Sequence, residues 1–377
     1  MYKNVINRSL KDIISRKLGK GKAIIITGAR QTGKTTLLKL MFSGMPDSLW
    51  LNADEPDIRA LFEEPSSTRF KALFGGKSMV IVDEAQRIRN IGLKLKLITD
   101  QIPEIQLVVT GSSSFELANE INEPLTGRKW EYHLFPLSFG ELVAHHGFLE
   151  EKRLLPHRLV YGYYPEVVCN PGQEKDLLKQ LSDSYLYKDI LMMEGIKKPE
   201  KLVRLLQLLA FQIGNEVSYN ELGINLDLDN QTVERYIQLL EKTYVIFRLG
   251  SFSRNLRKEL KRARKIYFFD NGIRNSLIAN FNPPELRNDT GAIWENFILS
   301  ERQKYIHYSG IWANKYFWRT HDQQEIDYLE ERDGNLVAYE FKWKARKNKK
   351  IPGAFMESYP GSQSALITPD NIEDFVL

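Results

Sequence analysis

Hydrophobic residues in the first third of the chain fall in short unbroken runs, separated by stretches where they recur every three or four positions. The runs at 23–27, 48–52, 79–83 and 106–110 are strand-sized and nearly all apolar, as in strands buried on both faces. The stretches between them, at 35–42, 66–74 and 91–100, carry helical spacing. Such alternation predicts a parallel sheet covered by helices on both sides. A further strand at 129–134 precedes Pro136 and a short helix at 139–145, closing a first domain over 1–149.

From 150 onward the periodicity is continuously helical, interrupted at Tyr164-Pro165 and at Asn170-Pro171-Gly172. The reading is a helical lid or linker over 150–199. Three helices and a strand then follow over 200–253. Leu202, Leu205, Leu206 and Leu209 stripe the first, Ser218 opens the second, Asp229-Asn230 caps the third at 232–242, and the strand is 244–249. That order is a winged-helix arrangement. The last region, 254–377, mixes strands at 266–269, 316–320, 325–330 and 336–343 with a helix at 292–304. The expected fold class is therefore α/β and multidomain: a P-loop-type parallel sheet, a helical and winged-helix middle, and an α+β C-terminal domain.

Composition narrows the setting. The 377 residues exceed one ordinary core, and 42% hydrophobic with 27% charged residues is a globular balance. The lone cysteine, Cys169, rules out an internal disulfide and a cysteine-based zinc site, and favours a reducing compartment. No apolar run has the length of a membrane span, and 1–22 lacks a signal-peptide core, so the expectation is a cytoplasmic protein without a membrane partner. The six histidines have no metal-ligand spacing, and His145-His146 reads as surface.

The candidate chemistry begins at Gly28-Ala29-Arg30-Gln31-Thr32-Gly33-Lys34-Thr35, followed by Thr36, which fits G-x-x-x-x-G-K-[ST] between a strand and a helix. Glycines let backbone N–H groups curl around phosphates, and a helix N-terminus adds its positive end. Lys34 is expected to reach the β- and γ-phosphates of ATP, and the Thr35 hydroxyl to bind Mg²⁺. The run Met79-Val80-Ile81-Val82-Asp83-Glu84 supplies the partner strand, with Asp83 at the metal and Glu84 placed to polarise an attacking water. A carboxylate pair on a strand one removed from the P-loop points to hydrolysis rather than small-molecule phosphorylation. Ser112 or Thr110 is the candidate reader of the γ-phosphate, a plain strand-end turn being the alternative. Arg128 is a candidate arginine finger, in cis or across a subunit boundary of a homo-oligomer, with a surface salt bridge as the alternative.

A second constellation lies near the C-terminus. Asp327, on the strand 325–330, and Glu340 and Lys342, on the next, form Asp…Glu-x-Lys, the set a metal-dependent nuclease uses. With a period of two, Glu340 and Lys342 share one strand face. Glu295, on the preceding helix, could complete the site. Basic residues concentrate at Arg254, Arg257, Lys258, Lys261, Arg262, Arg264 and Lys265, and again over 342–350, the footprint of phosphate-backbone binding and so of a DNA partner. A solvated face is the plainer alternative. The third helix offers only Gln231, Thr232, Arg235 and Gln238 outward, poor material for reading bases.

The ordered set of the P-loop, Asp83-Glu84-Ala85-Gln86, Thr110-Gly111-Ser112-Ser113, Gly127-Arg128 and Phe135-Pro136-Leu137-Ser138-Phe139 resembles a prokaryotic family of AAA-type ATPases carrying a C-terminal domain of unknown function. The likeness extends through Gly162-Tyr163-Tyr164-Pro165-Glu166, Lys188-Asp189-Ile190, Lys265-Ile266-Tyr267-Phe268-Phe269-Asp270-Asn271-Gly272 and Glu295-Asn296-Phe297. Ala29 stands where proline is common in the family. The resemblance implies a restriction-endonuclease-like fold for the C-terminal domain, its motif falling on Glu295, Asp327, Glu340 and Lys342. Two functional expectations follow. One is an ATPase whose cycle controls a DNA-binding winged helix and a nuclease-like domain. The other is an ATP-dependent binding switch with slow hydrolysis and an inert C-terminal site.

Overall fold

The computed structural model describes residues 5–111, 124–183, 198–254, 264–320, 323–344 and 352–377. Ala23–Thr27 (β1), Ser48–Asn52 (β2), Met79–Asp83 (β3), Gln106–Gly111 (β4) and Lys129–His133 (β5) form one sheet of order β2-β3-β4-β1-β5, parallel throughout. Every residue of β1 and β3 is buried, which requires cover on both faces and explains why these strands are unbroken apolar runs. One face packs Ile25, Val80, Val82 and Val109 against Phe62, Phe70, Phe74, Leu95 and Ile98 of the flanking helices. The sheet and its helices are the α/β core that the alternating pattern predicts.

The chain divides into two compact units, 1–137 with 242–244, and 138–241 with 245–377. The second unit opens on a helix Phe139–His146, whose start is fixed by a reciprocal bond pair between Ser138 and Glu141. Helices Phe148–Tyr161, Pro165–Cys169 and Glu174–Leu181 follow, punctuated at Tyr164-Pro165 and Asn170-Pro171 as the sequence implies.

Helices Pro199–Phe211, Tyr219–Leu226 and Asn230–Lys242 come next, with strands Glu216–Val217 (β6), Ile246–Ser251 (β7) and Arg264–Phe268 (β8). Strands Asn314–Arg319 (β9), Glu325–Arg332 (β10), Asn335–Phe341 (β11) and Gln363–Ile367 (β12) complete a mixed seven-stranded sheet of order β12-β11-β10-β9-β7-β8-β6. β7 runs antiparallel to β8 and parallel to β9. The seam expected at 253/254 thus falls between paired neighbours, and the three-helix region shares its sheet with the C-terminal region.

Several motif residues of this unit are architectural. The buried Asp270 carboxylate accepts the Tyr163 N–H at 2.6 Å and the Ile273 N–H at 3.1 Å, capping the helix Asn271–Leu277. Burial pushes the Asp270 pKa up, against the pull of those N–H donors and Lys304. Asn271 donates to the carbonyls of Leu159 and Ile293, and Asn296 bonds both the N–H and the carbonyl of Phe268. These side chains satisfy buried backbone groups of distant segments. Among the described residues no helix is long and apolar enough to cross a membrane.

Candidate nucleotide site and a carboxylate cluster

The loop 28–33 joins β1 to the helix Lys34–Phe42. A side chain at Gly28 would collide with the Leu134 carbonyl oxygen, so only glycine fits where the loop leaves β1. Gly33, at φ 94°, takes the left-handed conformation that turns the chain into the helix, whose N-terminus has no side-chain cap. An uncapped helix N-terminus of this kind presents N–H groups suited to an anion. Thr32 closes the loop by bonding its hydroxyl to the Ala29 carbonyl at 2.9 Å. Lys34, 5% exposed, donates to the carbonyls of Gly28 and Ala29 at 2.8 Å each.

Because β4 lies between β1 and β3, the end of β3 stands one strand away from the loop, as its carboxylates require. The Thr35 hydroxyl donates to Asp83 Oδ2 at 2.8 Å. The other carboxylate oxygen of Asp83 accepts the Thr110 hydroxyl, and Thr110 in turn accepts the Glu84 N–H at 3.3 Å. Glu84 holds φ 54°, a left-handed conformation uncommon outside glycine, and its Oε2 accepts the Gln86 amide at 2.6 Å. The Thr35 hydroxyl and Asp83 carboxylate are adjacent hard oxygen donors beside a phosphate-type loop, a donor set that fits Mg²⁺.

Other members of the site were silent in the sequence. Arg8, at the start of the helix Ser9–Ser15, donates to the Thr32 carbonyl and to the Phe135 carbonyl, both at 2.6 Å. It ties the loop to the segment leaving β5. Tyr244, within 242–244 of the same unit, places its hydroxyl 2.9 Å from that of Thr27 and its ring 3.5 Å from the His133 ring.

Two expectations are narrowed to one of their alternatives. Thr110 is fully buried, with its hydroxyl committed to Asp83 and Glu84, so it orients the carboxylates rather than facing a phosphate. Arg128 lies beside Ala23, at the end of β1 opposite the loop, and its guanidinium pairs with Asp100. Five strand residues at about 3.3 Å each put roughly 16 Å between them, too far for a finger in cis. Ser112 lies outside the described residues.

In the second unit the structure brings Glu295, Asp327, Glu340 and Lys342 together. Lys342 Nζ stands 3.3 Å from Glu340 and 3.6 Å from Asp327, and Asp327 also accepts the Phe341 N–H at 2.8 Å. Lys265 joins them: it is 1% exposed, 3.3 Å from Glu295, and bonded to Glu325. It therefore leaves the expected basic stripe, because a lysine so enclosed cannot meet a phosphate backbone. Tyr267 donates to Glu295 at 2.6 Å.

Burial pushes the Glu295 pKa up to about 7, with the charge of Asp327 adding to the rise and Lys265 opposing it. Burial works to lower Lys265, yet Glu295 and Glu325 outweigh it and hold its pKa above the usual value. Lys342 is raised likewise by Asp327 and Glu340, against burial. Among the described residues no group of three or more His, Cys, Asp or Glu side chains is arranged to hold a metal ion. Of the remaining stripe, Arg254 is exposed and lies over the Tyr359 ring, and Arg264 lies over Tyr219; Arg257, Lys258, Lys261 and Arg262 are outside the described residues.

Comparison with known proteins agrees with the first unit. Residues 20–143 match the family described as an AAA domain, while 152–284 and 290–373 match two domains of unknown function. An uncharacterized protein of Mycobacterium tuberculosis is 27% identical over 334 residues, 87% of this chain and 72% of that one. An uncharacterized protein of Haemophilus influenzae is 28% identical over 282 residues, 67% of this chain and 68% of its own. Among solved structures, a Walker-type ATPase of Pyrococcus abyssi shares the fold at TM-score 0.51 and 15% identity, over 73% of this chain and 96% of that one. The AAA-domain match spans both the loop 28–33 and the strand β3 with Asp83-Glu84, and the Pyrococcus abyssi protein shares the fold.

Proposed function

We propose that the protein hydrolyses ATP with Mg²⁺ at the loop 28–36 and uses the nucleotide state to control binding of a nucleic-acid backbone by its second unit. The observation that carries the first half is the Thr35–Asp83 bond of 2.8 Å, which joins the loop to the strand bearing Glu84. Gly28, Ala29, Arg30, Gln31, Thr32 and Gly33 line the turn, Lys34 supplies positive charge to the phosphates, and Thr36 continues the helix. Thr35 and Asp83 would hold Mg²⁺, which supplies charge neutralisation at the phosphates. Glu84 accepts hydrogen bonds from a water and draws off its proton, while Thr110 and Gln86 keep both carboxylates aimed.

The second half rests on connectivity and charge. The three helices and the β6-β8-β7 order follow winged-helix connectivity, and Arg254 with the basic residues over 255–263 follows β7. Binding of this type is sequence-independent and salt-sensitive. The acids that phosphodiester cleavage would need are paired to lysines, so the reading is one of binding without cutting.

The test is a pair of variants of the full chain. Lys34→Ala should lose ATP binding, whereas Glu84→Gln should bind ATP and release phosphate at least a hundredfold more slowly. Wild-type turnover in Glu84→Gln sinks the assignment of the base.

A further inference from the structure

Lys265 is a strand residue with nowhere to go. It occupies the central strand of β6-β8-β7, opposite Glu216 on one neighbour and Leu249 on the other. Its ammonium meets Glu295 at 3.3 Å, bonds Glu325, and lies 5.4 Å from the centre of the Phe317 ring. Two positions along the same strand, Tyr267 gives its hydroxyl proton to the same Glu295 oxygen at 2.6 Å. Lys342 serves Asp327 and Glu340 in the same manner, and Arg319 spans Glu325 at 3.8 Å and Glu216 at 3.3 Å. Four acids of the cluster, Glu295, Glu325, Asp327 and Glu340, thus face three side-chain cations.

The Asp…Glu-x-Lys pattern implies a divalent cation among Glu295, Asp327 and Glu340. Such an ion needs oxygen lone pairs converging at about 2.0–2.6 Å. Here one Glu295 oxygen accepts from both the Lys265 ammonium and the Tyr267 phenol, one Asp327 oxygen accepts the Phe341 N–H, and Glu340 stands 3.3 Å from the Lys342 ammonium. An ammonium and a divalent ion also compete for the same negative charge, and two cations a few ångström apart in a buried site repel strongly. Nor can Lys265 swing clear: its backbone is hydrogen-bonded into β8 and its side chain is enclosed, so its departure would leave Glu295 to the Tyr267 hydroxyl and Glu325 to Arg319 at 3.8 Å, without the ammonium between them.

We propose that Lys265 is the resident cation of this cluster, filling with a covalently attached ammonium the place that the nuclease pattern assigns to a metal, so that the site takes neither Mg²⁺ nor Mn²⁺ and does not cleave phosphodiester bonds. The inference is independent of the nucleotide loop.

The experiment is Mn²⁺ binding to the full chain without nucleotide, followed by electron paramagnetic resonance, in an Asp83→Asn background that silences the loop carboxylate. With Lys265 present, no saturable site is expected up to millimolar Mn²⁺. Lys265→Met, which keeps the bulk and deletes the charge, should gain one Mn²⁺ per chain at least tenfold tighter, and adding Glu295→Gln should remove it. A folded Lys265→Met chain that gains no site overturns the proposal. So does a Mn²⁺ site in the Lys265 chain that Glu295→Gln or Glu340→Ala abolishes, or Mg²⁺-dependent cutting of linear DNA lost in Glu340→Ala. These last comparisons keep Lys265 and decide the matter even where Lys265→Met fails to fold.

Discussion

Thr110→Val is the sharpest probe of the nucleotide site, because valine matches threonine in shape and deletes one hydroxyl. That hydroxyl works in a relay: it accepts the Glu84 N–H at 3.3 Å and gives its proton to Asp83. The bond to a charged carboxylate is worth about 1.5–3 kcal/mol and the longer one to the amide about 1 kcal/mol. Their loss frees the Asp83 carboxylate to rotate and removes one restraint on the left-handed Glu84 backbone. Residues that orient metal-binding groups from behind typically cost 10–100-fold in affinity or activity when removed. Phosphate release measured across Mg²⁺ concentrations should therefore fall by about that factor, with the half-maximal Mg²⁺ concentration rising. Binding of a fluorescent ATP analogue, which depends on Lys34 and the loop, should stay within about threefold of the unmodified chain. Thr110→Ser keeps the relay and should restore most of the activity. A Thr110→Val protein with unchanged turnover and unchanged Mg²⁺ requirement would refute the orienting role.

Other predictions follow the same reasoning. Arg8→Ala breaks two 2.6 Å bonds that brace the loop, so the KM for ATP should rise about tenfold while kcat moves little; an unchanged KM counts against the brace. Glu295 has a pKa of about 7 in the fold against an ordinary value of 4.5, so the native state holds its proton more tightly. The stability this proton contributes is fully present below pH 4.5 and lost as pH rises through 7. At 1.36 kcal/mol per pH unit, the interval amounts to about 3 kcal/mol. Thermal unfolding followed from pH 4.5 to 8 should reveal that decline, and Glu295→Gln should flatten it. Affinity for duplex DNA should fall steeply between 50 and 200 mM salt and be indifferent to sequence; salt-independent binding rules out a backbone contact of this kind.

What the sequence made legible was whatever is written contiguously. The P-loop needs a strand, a turn and a helix in succession, so Gly28 to Thr35 announce themselves, and Asp83-Glu84 do so at the end of an apolar run. The flanking strands of the parallel sheet were legible for the same reason. Arg8 and Tyr244 reach the site through tertiary contacts that no local pattern records, Thr110 and Gln86 stood in legible motifs without their hydrogen-bond partners, and Arg128 takes the surface salt bridge that was the alternative to a finger. Lys265 was counted with its basic neighbours. Yet the alternation in Arg264-Lys265-Ile266-Tyr267-Phe268 already set Lys265 and Tyr267 on one strand face, apart from the residues before them. β6, only two residues long, had no signal of its own.

The position of β7 has a practical consequence for anyone who would take the protein apart. Its one edge is completed by β8 and its other by β9, through Gly250 with Tyr316, Ser251 with Phe317, and a 2.7 Å bond from the Phe252 N–H to the Phe317 carbonyl. A fragment ending near residue 290 keeps β7 but bares that second edge, and a fragment beginning there starts with β9 equally bare. Open strand edges recruit other chains. Shortened versions split inside the seven-stranded sheet are thus destined for inclusion bodies. Duplication or exchange of genetic material can preserve an intact second unit only by carrying residues 138–377 as one indivisible block.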